Sequence, residues 1–152
     1  MPQQFTPEVE QALVSIYEEM MWLSRRPNVT PSRARAWYTH VMAESIKRKI
    51  RRFTGMVSAE AASDTGEQLM LEHFHRIQTS LTDLVQRHHH EAQRNPHEFV
   101  EMIYEFEQVH LVTRGENYAA MRAKGDYEAA GIKLLEWTEL SEGRRAALWQ
   151  KN

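Results

Sequence analysis

The sequence predicts an all-α protein, an antiparallel bundle of five or six helices in one helical domain over residues 1–152. Three observations predict it. Thr6-Pro7, Thr30-Pro31 and Asn95-Pro96 each set a capping side chain before a proline at the first helical position. Between these starts, apolar residues recur at three- and four-residue spacing. No stretch of useful length alternates apolar and polar with period two, so no sheet is expected.

The elements follow in order. A first helix runs from Pro7 to about Arg25, with Val9, Leu13, Ile16, Tyr17, Met20 and Leu23 as its buried stripe. A second runs from Pro31 to about Phe53 on Tyr38, Met42, Ile46, Ile50 and Phe53, with Trp37 and Val41 beside them. A pure four-residue step drifts around a regular helix, so this face must wind. Asp64, with Glu67 three residues on, caps a third helix from about Thr65 to Arg94, carrying Met70, Phe74, Ile77, Leu81, Leu84, Val85 and His88. Asn95, with Glu98 completing a capping box, starts a fourth that runs to about Thr113 on Phe99, Ile103, Phe106 and His110. Asn117–Lys124 and Tyr127–Glu139 read as helical around a Gly125-Asp126 turn, and Ser141 caps a last short helix ending near Trp149. Stops fall at Pro27, Gly55 and Gly115, and Gly55–Asp64 is the longest connection. Lys124-Gly125-Asp126-Tyr127-Glu128 with Ala130 resembles the turn between the helices of a tetratricopeptide repeat, with no second copy in the chain.

Composition excludes several classes. With 41% apolar and 26% charged residues the chain is globular rather than disordered. It has no Cys, which removes disulfides, thiolate metal sites and Cys nucleophiles. No secretory signal is visible, and the longest strongly apolar run, Met20 to Leu23, is too short to span a membrane. The expected location is the cytoplasm. No glycine-rich phosphate loop, nucleophile elbow or His-Glu-x-x-His helix occurs.

Charge is uneven. Arg25 to Arg52 holds nine basic residues against one acid, Glu44, for +8, and the rest of the chain carries −10. Lys47, Arg48, Lys49, Arg51 and Arg52 form a candidate nucleic-acid-binding face on the second helix, since Lys and Arg displace counterions from a phosphate backbone. A solvated helix end is the plainer reading, and a pI near 6.4 sits below that of a dedicated nucleic-acid domain. Charge-complementary self-association, basic face to acidic stripe of a second copy, is a further reading.

Glu72-x-x-His75 and Glu107-x-x-His110 copy the spacing that di-iron bundles use, with Glu18 or Glu19 and Glu44 as the other two carboxylates. A helical wheel turns Glu72 and His75 away from the core, however, and leaves Glu107 and His110 as the metal candidates. His110 alone reads first as a hydrogen-bonded core histidine. His88, His89 and His90 cannot all reach one metal, and His89 or His90 with His97 could hold an adventitious one at most.

Arg33-x6-His40 and Arg35-x4-His40 resemble the Arg-to-His spacing of HEPN nucleases, an all-helical and usually dimeric family. The resemblance implies RNA cleavage, with Arg33 stabilising a pentacovalent phosphate and His40 moving a proton. On a regular helix Arg33 and His40 share a face, whereas Arg35 and His40 do not.

The balance falls on a binding or interaction module without catalysis and with no cofactor, self-associating as a homodimer through its self-complementary charge, with Trp149 either docked into the bundle or helping to form the dimer, and with a protein partner as a further reading. The alternatives are a nucleic-acid-binding accessory protein and a HEPN-like RNase.

Overall fold

A computed structural model describes residues 5–63, 66–73 and 75–151, the side chains of 149–151 excepted. The chain is mixed α/β and not an all-α bundle: four strands form one sheet with parallel and antiparallel pairs. Its contacts divide it into two compact units, residues 1–51 with 76–107 and residues 52–75 with 108–152.

The first unit is helical, and here the expected pattern holds. Helix α1 spans Pro7–Ser24, α2 Pro31–Ala36 and α3 Ala43–Ile50, with a π-helical stretch, Trp37–Met42, between the last two. Helices α5, Ile77–His90, and α6, Pro96–Phe106, complete it. The caps work as their residue types dictate: Thr6 Oγ1 accepts from the Val9 amide, Thr30 Oγ1 from the Arg33 amide, Asn95 Oδ1 from the Glu98 amide. Tyr38, Met42, Ile46 and Ile50 all join the core of Leu13, Tyr17, Met20, Leu81, Phe99 and Ile103. Their four-residue step stays inward because the π-helical stretch, with its wider i→i+5 turn, absorbs the drift. Burying these side chains supplies the unit's main driving force, about 1.5–3 kcal/mol for each fully buried aliphatic or Phe.

A chain of polar groups runs from that core to the surface. The Tyr17 hydroxyl lies 2.7 Å from His88 Nδ1, and His88 Nε2 lies 2.7 Å from Glu98 Oε2. Arg87 Nη2 donates to the other Glu98 oxygen at 2.5 Å. A carboxylate only accepts, so Nε2 donates to Glu98 and Nδ1 accepts from the Tyr17 hydroxyl. The Asn95 amide donates to the Tyr17 oxygen at 3.0 Å. Glu98 therefore serves α5 and not the capping box expected of it. Its carboxyl is held below the usual range by Arg87 first and His88 second, and burial lifts the Tyr17 phenol.

The second unit carries the sheet. Strand β1 is Arg52–Ser58, β2 Leu69–His73, β3 Gln108–Thr113 and β4 Leu134–Glu136. β3 pairs parallel with β1, Phe53 opposite Val109, and antiparallel with β2, Leu71 opposite Leu111. β1 pairs antiparallel with β4, Val57 opposite Leu135. Four short helices and a 3-10 turn accompany it: α4 Ala59–Ala62, α7 Arg114–Arg122, α8 Tyr127–Ala130, the turn Trp137–Glu139 and α9 Glu142–Lys151. Val57, Ala61, Leu111 and Leu148 form its core. The β1–β3 register slips between Phe53 and Val57, around Gly55 at φ +84°, a backbone that glycine adopts without a Cβ penalty.

These strands correct the helical expectation at four places. The second helix ends at Ile50 and not at Phe53. The start of the expected third helix is β2, the end of the expected fourth is β3, and the end of the Tyr127–Glu139 helix is β4. Every residue of β3 from Val109 to Thr113 is buried, so both faces are covered and no alternation is written there. Its Val, Leu, Val, Thr run fits a helical stripe and an interior strand equally, and only pairing decides. The segment expected as a loop, Gly55 to Asp64, supplies the end of β1 and α4. The cap at Asp64, the start at Thr65, the stripe residue Phe74 and the Trp149 side chain lie outside the described residues.

Candidate ligand-binding groove

In the first unit the chain turns sharply between α1 and α2. The Arg26 amide donates to the Leu23 carbonyl at 3.0 Å, and Asn28 takes a left-handed φ of +65°. The turn leaves a groove of about 480 Å³ whose floor includes Leu23, Val29, Ala36, Trp37 and Val41. Arg26, Arg33 and His40 stand along it, and no carboxylate is among its lining residues. Arg26 also lies over the Trp22 ring, 5.1 Å from its centroid. The Trp37 indole is held by Nε1–H donation to Glu19 Oε2 at 2.7 Å. Leu23 and Trp37 also line a second, more apolar depression of about 430 Å³ with Trp22, Glu18 and Glu19 at its edge. The π-helical stretch carries Trp37, His40 and Val41, so the wide turn that keeps Tyr38 inward also sets the groove's wall.

Of the residues singled out in the sequence, Arg33 and His40 come together in this groove. Arg35 does not: it is buried and turns to Ser32, Thr39 and Thr82. The five basic residues of the expected face are placed as follows. Lys47 pairs with Glu44 at 2.5 Å, Arg48 and Lys49 are exposed on α3, Arg51 caps α3 with its Nε buried, and Arg52 belongs to β1.

Glu107 and His110 are not one helical turn apart, because α6 ends at Phe106 and β3 begins at Gln108. Glu107 accepts from the Tyr38 hydroxyl at 2.6 Å, and burial pushes that phenol's pKa well up. Glu72 corrects the wheel reading: it lies on β2, only 2% exposed, directly opposite His110 in the β2–β3 register. The Tyr127 hydroxyl donates to Glu72 Oε2, and the Tyr127 ring lies 5.4 Å from His110. Thr54 Oγ1 lies 3.1 Å from His110 Nδ1. Burial, with His75 nearby, lowers the His110 pKa to about 4. Glu18 is paired with Arg94 and Glu19 with Trp37. Among the described residues no group of three His, Asp or Glu is placed to hold a metal ion. His88 sits in the polar network with Tyr17, and His97 lies 3.0 Å from Glu101.

Sequence reasoning missed Arg26 and Trp37 as partners of Arg33 and His40, and it missed the Glu72–Tyr127–His110 cluster entirely. Arg26 carried a readable signal, since it is a basic residue beside the Pro27 break; the cluster carried none, since strand pairing creates it.

Among the described residues no helix is long and apolar enough to cross a membrane. The chain matches no protein-family model, no curated protein and no solved structure.

Proposed function

We propose that the protein is a cytoplasmic, non-catalytic binding module whose groove between α1 and α2 takes single-stranded nucleic acid. The observation that carries this reading is the convergence of Arg26, Arg33 and His40 on one apolar floor that holds the Trp37 ring. Bases stack on such a floor without regard to sequence, and the cations follow the phosphates. The reading moves the contact surface from the Lys47–Arg52 run to the groove, because the groove gathers an aromatic ring and cations in one concave place. Binding is favoured over HEPN-like cleavage because no hydrogen bond among the described residues orients His40, and a working general base is oriented by a neighbour.

The test is binding of a labelled single-stranded oligonucleotide across a salt series. Up to three phosphate contacts give a slope of about −2 in log K against log salt. Arg33→Ala reduces that slope by about 0.7 and weakens all sequences alike. Salt-independent binding, or none at low salt, would sink the proposal. Incubating the same protein and its His40→Ala variant with structured RNA separates the two readings: cleavage that His40→Ala abolishes replaces the binding module with the nuclease. Self-association belongs to the same proposal, supported by exposed Tyr118 and Met121 one helical turn apart on α7. Light scattering of a concentrated sample is expected to give the dimer mass, and a monomer mass removes that part.

A further inference from the structure

Arg35 is a buried cation whose hydrogen-bond partners are all hydroxyls. It is 9% exposed. Its Nε donates to Thr82 Oγ1 at 3.3 Å, Nη1 to Thr39 Oγ1 at 2.9 Å and Nη2 to Ser32 Oγ at 3.1 Å. Ser32, Arg35 and Thr39 follow at three- and four-residue spacing, which stacks them on one side of the α2 run, and the packing of α2 on α5 brings Thr82 to them. Among the described residues no carboxylate is ion-paired with this guanidinium. Taking a guanidinium out of water without a counter-charge is costly, and a hydroxyl supplies a lone pair but no charge.

The donor count identifies what is missing. A guanidinium has five N–H donors, and one on each nitrogen is spent on a hydroxyl. One hydrogen on each terminal nitrogen remains to donate to the oxygens of an oxyanion. Each hydroxyl accepts from Arg35 and makes no other hydrogen bond as donor among the described residues. Their O–H groups are therefore free to point at a ligand. The cluster offers donors and positive charge and no idle acceptor but spare hydroxyl lone pairs. Ser32 is exposed, and Thr39 and Thr82 are half-buried, so the hydroxyls are within reach of solvent.

We infer that Arg35, Ser32, Thr39 and Thr82 form a binding site for a phosphate group. The site is separate from the groove, whose lining includes Arg33 and His40 but not Arg35. It stands whether or not the groove binds nucleic acid. The charge of phosphate offsets the buried guanidinium, and its several oxygens accept from the terminal N–H groups and the hydroxyls together.

The experiment uses the full chain in chloride and in inorganic phosphate at equal ionic strength and pH, read by thermal unfolding and by the Nε–H resonance of Arg35. Phosphate is expected to raise the unfolding temperature in a dose-dependent way and to shift that resonance. Thr82→Val and Ser32→Ala keep the guanidinium and each remove one hydroxyl, and each is expected to weaken the phosphate effect by about tenfold. Arg122→Gln, at an exposed position on α7 outside both sites, is expected to leave it unchanged. A second arm with glycerol phosphate separates the sources: tighter binding than inorganic phosphate assigns the site to esterified phosphate, weaker binding to the free ion. The inference is overturned by the absence of any dose-dependent phosphate effect, by an effect that survives Thr82→Val and Ser32→Ala undiminished, or by one that Arg122→Gln abolishes.

Discussion

Burial holds the His110 imidazole at a pKa of about 4, against 6.5 in the unfolded chain, and the sign of that shift sets its effect on stability. Below the unfolded value the proton goes to the unfolded state first. Stability is thus unaffected above about pH 6.5 and falls as the pH drops toward 4, by up to about 3 kcal/mol. Urea unfolding at steps between about pH 7 and 4.5 should show this loss in the wild type and a flatter profile in His110→Gln; parallel profiles would place the acid sensitivity elsewhere. The neighbouring contact is testable in the same assay. Tyr127→Phe removes the donor to buried Glu72 and should cost about 1–3 kcal/mol at neutral pH, the price of leaving a buried acceptor without that partner. At this scale the sequence was partly legible. His110 reads as a hydrogen-bonded core histidine from its apolar surroundings alone, yet its partners Thr54 and Tyr127 lie 56 residues upstream and 17 downstream, beyond any local pattern.

Element boundaries depend on short-range chemistry wherever a cap is present. Thr113 is a clear case: its hydroxyl accepts from the Glu116 amide while Glu116 Oε1 accepts from the Thr113 amide, closing a capping box at the start of α7. Thr113→Ala should lower stability by about 1 kcal/mol, measured by chemical unfolding. The short α4 is finished from a distance: Arg144 donates to the carbonyls of Ala61, Ala62 and Ser63, which the four-residue helix leaves open. Gly55 tests the sheet's irregularity. A Cβ added there meets nothing within 4 Å, so Gly55→Ala isolates the cost of the left-handed backbone, about 1–2 kcal/mol. A neutral effect would mean that β1 can be straightened through its register slip.

At the scale of the whole molecule, the sheet joins segments distant in sequence, β1 to β3 across some fifty residues that include α5 and α6. β3 is bonded on both sides and buried along its length, so its amides should exchange more slowly than those of the edge strands β2 and β4 in hydrogen-exchange measurements. Faster exchange in β3 than in β2 would contradict the strand order.

What the sequence determined by itself are the three helix starts capped at Thr6, Thr30 and Asn95 and the inward set from Leu13 to Ile103. Capping and three- to four-residue periodicity act within a turn or two, and the residues that write them are neighbours in the chain. Tertiary structure alone decided that Arg52–Ser58, Leu69–His73 and Gln108–Thr113 are strands, that Glu72 faces His110, and that Arg35 meets Thr82. A strand has no hydrogen bonds of its own; its partner lies far along the chain, and an interior strand covered on both faces shows no alternation to betray it.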